Sequence, residues 1–248
     1  MMMTGAQLDK PTGIFIGVGV GPGDPELITL KALRAIRSAD VISYIANDKG
    51  DSQARHIARE ALQEVKAGQQ EIPVCMPMCN DRRIANAVYD DAASRIAEHL
   101  RQGRHVVFIC EGDPLFFGSF TYLLERLQEA FPCQVIPGIS SINSASAALR
   151  HPLTLLKESL VVVSGRHSEA QLQEALLQHD SVVIMKAGRS RPRILSLLKT
   201  TKRWHEARYL ENIGRPGERV IEDMDQLADE PGPYFSLFIV TRAERDRS

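Results

Sequence analysis

The sequence predicts an α/β protein of two domains: first a doubly wound, mostly parallel sheet, then a mixed sheet, with an active-site cleft between them. Three observations point there. Short apolar runs alternate with helical stretches, the pattern of βαβ units. The runs in the first half, VISYI and VVFIC among them, are nearly continuous in apolar residues, as expected when helices cover both faces of a sheet. The final strands follow one another with no obvious helix between them, which calls for antiparallel members.

In chain order, the run 13–20 is the first strand, and its alternating glycines Gly17, Gly19, Gly21 and Gly23 lead into a helix start. Asp24 is a cap, Pro25 fits a first turn and Glu26 suits the positive end of the helix. A helix is predicted over 25–38, with Leu27, Leu30, Leu33 and Ile36 on one stripe. Strands follow at 41–45, 72–75, 105–110 and 133–136, and helices at 53–66, 81–102 and 118–130. The pattern changes at Pro137-Gly138, so the domains are expected to span 1–137 and 138–248. The second contains a small-residue helix over 140–149, strands at 159–164, 181–186, 207–211, 219–222 and 234–241, and helices at 168–178 and 190–200.

Composition narrows the function. The chain has 248 residues, 44% hydrophobic and 25% charged, with a net charge of -1. Nothing global favours nucleic acid, and no apolar stretch approaches the ~20 residues of a membrane span. The first residues have no apolar core and read as a disordered tail rather than a secretion signal. Cys75 and Cys79 are four apart, but no further ligands follow at metal-binding spacing, so no metal site is expected. Cys110 and Cys133 fall in apolar runs and read as buried thiols in a reduced, cytoplasmic protein. The seven histidines (His56, His99, His105, His151, His167, His179 and His205) show no ligand-like or triad-like spacing.

Three loops follow strands of the first sheet and should converge at its carboxyl edge, where open α/β sheets bind ligands. The first, Val20 to Gly23, resembles a dinucleotide fingerprint, but its third glycine position is Pro22, which has no N–H for a pyrophosphate. Its glycines exceed what a turn needs, which favours a ligand surface. In the second, Glu111 to Gly118, Gly112 permits close approach and Asp113 could bind a cation or take a proton. The third, Pro137 to Ser141, offers Ser140 or Ser141 as a helix cap or as a ligand for an anion. Basic residues are dense at Lys186, Arg189 and Arg191, against the helix dipole. With Arg166 they suit an acidic ligand.

Taken together, the segments GVGPGDPELITLKALRAIRSADVI, EGDPLFFGSFTYLLERL, IPGISSINSASAA, VVIMKAG and PYFSLFIVTR resemble the tetrapyrrole methylase family, in order, across residues 14 to 242. The resemblance implies an S-adenosylmethionine-dependent methyltransferase and a homodimer. GDPLFFGSF, YFSLFIVTR and Pro77-Met78 resemble the branch acting on carbon-20 of precorrin-2 or of cobalt-factor II. That branch tends to carry a proline after the tyrosine of the second strand, where Ile45 follows Tyr44 here. Other branches, acting on uroporphyrinogen III or at other ring positions, stay open. So do a nicotinamide-dependent oxidoreductase and a non-catalytic tetrapyrrole carrier. The near-neutral charge argues against an RNA-modifying branch.

By the same resemblance Pro22, Glu111, Gly112, Asp113, Phe116, Ser140 and Ser141 would border the cofactor. Met185, Asn212 or a neighbour, and Ser236 would line its adenosine end. Asp113 is the candidate catalytic carboxylate. Arg82, Arg83, Arg166, Lys186, Arg189 and Arg191 are candidates for the substrate's carboxylates, since such arms need cations or amide donors.

Overall fold

In the computed structural model, which describes residues 11–77 and 81–244, the chain enters its first sheet at β1 (Phe15–Gly19). There follow α1 (Leu30–Ser38), β2 (Val41–Ala46), α2 (Gln53–Ile57), β3 (Gln70–Cys75), α3 (Arg82–Arg101), β4 (Val106–Cys110), α4 (Phe120–Leu127) and β5 (Cys133–Ile136). The strand order is β3-β2-β4-β1-β5 and every pairing is parallel. Met78 and Cys79 lie outside the described residues, as does the tail expected before residue 11.

Helices cover both faces of this sheet, which explains its continuous apolar strands. On one face Ala32 and Ile36 of α1 and Ala54 and Ile57 of α2 pack on Val18, Ile42, Tyr44 and Val107. On the other, α3 and α4 bring Ile96, Leu100, Phe120 and Leu123 onto Phe15, Val106 and Phe108. The Phe120 ring lies 5.1 Å from Phe15 and 6.3 Å from Phe108. Gly17 lies beneath it: a Cβ there would sit 2.5 Å from the ring.

The single helix expected over 25–38 is broken. Asp24 caps a 3₁₀ turn, Pro25–Leu27, by accepting from the Glu26 amide at 2.9 Å. Ile28 and Thr29 are extended, and Thr29 caps α1 by accepting from the Ala32 amide. Two caps five residues apart divide the segment. The restart turns the stripe, so that Ala32 and Ile36 are buried and Leu30 is 69% exposed. The helix expected over 53–66 stops at Ile57 and continues as turns. Beyond it, the Lys66 amide donates to the Arg37 carbonyl, and the Gln69 side chain donates to the carbonyls of Ile36 and Ala39. This stretch caps α1 instead of extending α2.

The second unit holds α5 (Ser141–Leu149), β6 (Leu160–Ser164), α6 (Glu169–Gln178), β7 (Ser181–Met185), α7 (Arg191–Thr200), β8 (Ala207–Glu211), β9 (Arg219–Ile221) and β10 (Ser236–Thr241). Its order is β6-β7-β10-β8-β9, with only β6 and β7 parallel. Ser168 and Gln171 close a capping box on α6. Arg203, 1% exposed, donates to the carbonyls of Leu176, His179 and Asp180 and pairs with Glu206. It thereby satisfies the carboxyl end of α6, where helix carbonyls lack partners. The two compact units are Met1–Ser140 and Ser141–Ser248, so the division falls three residues later than the change of pattern at 137/138. The reason is Gly138, whose backbone packs on Gly19 and Gly112.

Cys110 is buried, and burial pushes its thiol well above the ordinary range. Cys133 is only half-buried and Cys75 is exposed.

Replacing Phe120 with alanine should cost about 3–5 kcal/mol, as for other buried aromatics, measured by urea unfolding. At the amino edge of the first sheet, burial alone would raise the Asp40 carboxyl. Hydrogen bonds from Lys66 and the His105 amide outweigh burial and hold it below its ordinary range. A carboxyl lowered by folding stabilises above its unfolded value of about 3.9, and that contribution vanishes as pH falls through the folded value. Asp40→Asn should therefore flatten the acid limb of the stability curve below about pH 4.

Candidate functional site

The strands of the first sheet are parallel, so the loops after β1, β4 and β5 leave from one edge. They interlock through bare backbone. Gly21, at φ +81°, and Gly112, at φ +62°, form an antiparallel bridge, with N–H to carbonyl distances of 2.7 and 3.3 Å. A Cβ on Gly19 would lie 2.4 Å from the Gly112 carbonyl oxygen and 2.6 Å from the Gly138 Cα; one on Gly138 would lie 2.1 Å from that same oxygen. No side chain fits at either position, because real Cβ contacts are not that short. Part of the glycine excess in the first loop therefore has an internal cause. Gly17 makes room for Phe120, Gly19 for two other loops, and Val20 to Gly23, Pro22 included, are buried.

Asp113 ties this arrangement together. One carboxylate oxygen accepts from the Leu115 amide at 2.9 Å and the other from the Gly138 amide at 3.0 Å. It joins the β4 loop to the β5 loop. Both oxygens are engaged by backbone donors, so Asp113 holds the two loops at a fixed spacing. Glu111, Gly112, Phe116 and Ser140 are partly exposed around the hub. Phe116 meets Phe117 edge-on at 5.1 Å, and Phe117, at φ +55°, is 46% exposed beside Leu115 at 54%. At Gly112 a Cβ would meet nothing nearer than 3.9 Å, so the glycine leaves space over the loop.

In the second unit Met185, Asn212 and Ser236 gather at one end of the sheet. β10 begins at Ser236 between the ends of β7 and β8, with Leu237 opposite Met185 and Ser236 opposite Glu211. Asn212, in the left-handed region at φ +55°, donates its amide to the Phe235 carbonyl at 2.8 Å. The Ser236 hydroxyl donates to the Pro233 carbonyl at 2.8 Å. Beneath them, the buried carboxylate of Glu211 accepts from Tyr209 at 3.0 Å and from Arg219 at 2.8 Å. Burial, followed by smaller opposing effects of its polar neighbours, raises the Tyr209 hydroxyl. Ser141 opens α5.

The basic candidates separate by environment. Arg166, Lys186 and Arg189 follow the carboxyl ends of the parallel pair β6 and β7; both arginines are exposed. Arg82 and Arg83 open α3 in the first unit, and Arg83 pairs with Asp81 at 2.9 Å. Arg191 differs from the exposed candidates. It is 4% exposed, donates to the carbonyls of Glu230 and Pro231, and lies 5.5 Å over the Tyr209 ring. Arg193 donates to the carbonyls of Gly165 and His167, both at 2.8 Å. Arg191 and Arg193, both in the first turn of α7, thus hold loops.

The sequence reading missed a network in the first unit. The Tyr44 hydroxyl donates to Glu71 at 2.6 Å, and Arg55 grips the same carboxylate at 2.7 and 2.9 Å. A tyrosine on a covered strand was the available signal, since a buried hydroxyl needs a partner. Among the described residues, no group of three or more His, Cys, Asp or Glu could hold a metal ion, and no helix is long and apolar enough to cross a membrane.

This two-sheet α/β architecture is shared with a solved methyltransferase. The chain belongs to the Tetrapyrrole (Corrin/Porphyrin) Methylases, whose profile matches residues 15–228. This membership replaces the oxidoreductase alternative. The chain is 38% identical over 242 residues to the cobalamin biosynthesis protein CobIJ of Mycobacterium tuberculosis, covering 94% of this chain and 47% of that protein. It therefore spans about half the length of that relative. It is 36% identical to the precorrin-2 C(20)-methyltransferase of a Sinorhizobium species, covering 92% and 95% of the two chains. For the cobalt-precorrin-2 C(20)-methyltransferase of Salmonella typhimurium the identity is 33%, covering 93% and 97%. Among solved structures, the uroporphyrin-III-C-methyltransferase of Thermus thermophilus superimposes with a TM-score of 0.67 at 26% identity, covering 92% and 94% of the chains. A related Thermus structure, at TM-score 0.64 and 24% identity over 92% and 97%, is a complex with S-adenosyl homocysteine.

Removing the tie at Asp113 should loosen the hub. Asp113→Ala leaves two amides without their acceptor and should cost about 1–3 kcal/mol. Faster hydrogen exchange at the Gly138 amide is the specific readout, and Glu111→Gln should leave that amide unaffected.

Proposed function

We propose that this protein transfers a methyl group from S-adenosylmethionine to carbon-20 of precorrin-2 or its cobalt form, within corrin-ring assembly. The observation that carries the reading is the near full-length similarity to two relatives named for that position on the ring. The first-unit loops fit the donor: bare backbone at Gly112 leaves room a side chain would fill, with a carboxylate at Glu111 and an aromatic ring at Phe116. Glu111, Gly112, Phe116, Ser140 and Ser141 would hold it, with Met185, Asn212 and Ser236 at its adenosine end.

The donor supplies an activated methyl on a sulfonium, so the reaction needs little acid–base help. The protein's work is alignment and exclusion of water. Glu111 places negative charge where a cationic donor is bound, and Phe116 and Phe117 provide apolar walls. Asp113 acts one step removed, by holding the β4 and β5 loops at fixed spacing. The substrate's carboxylate arms meet Arg166, Lys186 and Arg189, with Arg82 and Arg83 as further cations. Arg191 is left out because the fold occupies it. A homodimer working in the cytoplasm completes the reading. An elution mass of twice the chain's mass in light-scattering chromatography is the expected result.

Incubation with precorrin-2 and with its cobalt form, using a donor carrying a ¹³C-methyl group, should place label on carbon-20 of at least one. Label at another ring position, or none, overturns the assignment. Asp113→Asn should keep the wild-type pH dependence of kcat, because no proton passes through it. Loss of one limb of that profile would restore the base reading.

A further inference from the structure

We propose that Tyr44, Glu71 and Arg55 form a latch that sets the loop 47–52 as a wall on the tetrapyrrole side of the site. The three are then positioning residues for the macrocycle and not for the methyl donor. This rests on the function proposed above.

The topology supplies the place. β4 lies between β2 and β1. The helices after β1 and β2 pack on one face of the sheet and the helix after β4 on the other. The connections therefore part to opposite faces on both sides of β4, and such switch points are where open α/β sheets leave room for ligands. On the β1 side, the Gly21–Gly112 bridge joins the two loops. On the β2 side, the bordering segments are 47–52 and 111–118.

The loop 47–52 is closed on itself. The Asn47 side-chain oxygen accepts from the amides of Lys49 and Asp51, both at 2.9 Å, and the Asn47 amide donates to the Asp51 carbonyl. Its internal bonds tie the loop to itself, so its position depends on what holds its ends. One end continues β2. The other opens α2, a helix of five residues, too short to hold itself in place. Ala54 and Ile57 seat α2 on the sheet, and Arg55 between them forks onto Glu71 of β3. Tyr44, 5% exposed on β2, donates to the same carboxylate from the side of the sheet. Burial and the Glu71 carboxylate push the Tyr44 hydroxyl up to about 12, so it keeps its proton at any working pH. The loop carries one cation, Lys49, between the carboxylates Asp48 and Asp51.

The test compares wild type with Tyr44→Phe, Arg55→Leu and Arg55→Lys. Tyr44→Phe and Arg55→Leu should speed hydrogen exchange at the Asn47 and Asp51 amides by about tenfold or more. They should raise KM for precorrin-2 by about fivefold or more, with kcat within about threefold. The Kd for S-adenosylhomocysteine, by calorimetry, should stay within about twofold of wild type. Arg55→Lys, which keeps the charge but not the fork, should recover part of the KM. Unchanged exchange overturns the latch. Unchanged KM, or a donor Kd that rises in step with it, overturns the assignment to the macrocycle side. If wild type turns over neither tetrapyrrole, the proposed function fails and takes the macrocycle assignment with it, whereas the exchange result still decides the latch. Should Arg55→Leu fail to fold, Tyr44→Phe carries both readouts, since it keeps the ring in place.

Discussion

Backbone touching backbone is the constraint on which the first unit rests. Gly19, Gly112 and Gly138 sit at or just past the ends of three strands that lie side by side, and Gly19 and Gly138 approach the Gly112 carbonyl so closely that neither could carry even one methyl group. Parallel strands deliver their loops to one edge, and the absence of side chains lets those loops close on one another. Asp113 then adds two hydrogen bonds that set the spacing. A site assembled this way is preorganised by the fold itself, which suits a reaction whose main demand is alignment.

The second unit uses a different device. Its loops are held by arginines turned inward: Arg191 and Arg193 on loop carbonyls, Arg203 on the end of a helix. Guanidinium groups suit this, because several donors in one plane satisfy several carbonyls at once. Charge in a strand-to-helix loop therefore has two readings. Only burial separates the exposed Arg189, available to a ligand, from the buried Arg191 close by.

Much of this was legible in the sequence. Continuous apolar runs identified the covered strands, and the crowding of strands near the carboxyl end identified the mixed sheet. The convergence of the three loops followed from their positions after strands. What local pattern could not supply was tertiary competition. Thr29 restarts a helix that periodicity alone would carry through. Lys66 leaves an expected helix and, with Gln69 beyond it, caps α1. Asp113 in a Gly-Asp-Pro turn reads equally as a turn residue or as chemistry, and its bond to the Gly138 amide joins segments that no local pattern connects. The Tyr44–Glu71–Arg55 network joins residues from three separate elements, and no spacing rule connects them.

Phe120 seated on Gly17 carries an evolutionary consequence. The two positions cannot drift independently, since any side chain at the first strikes the ring at the second. A lineage acquiring alanine on that strand would need a smaller group on the helix beforehand, and would pass through an ancestor with a hollow core. That detour ties together two distant stretches of the gene.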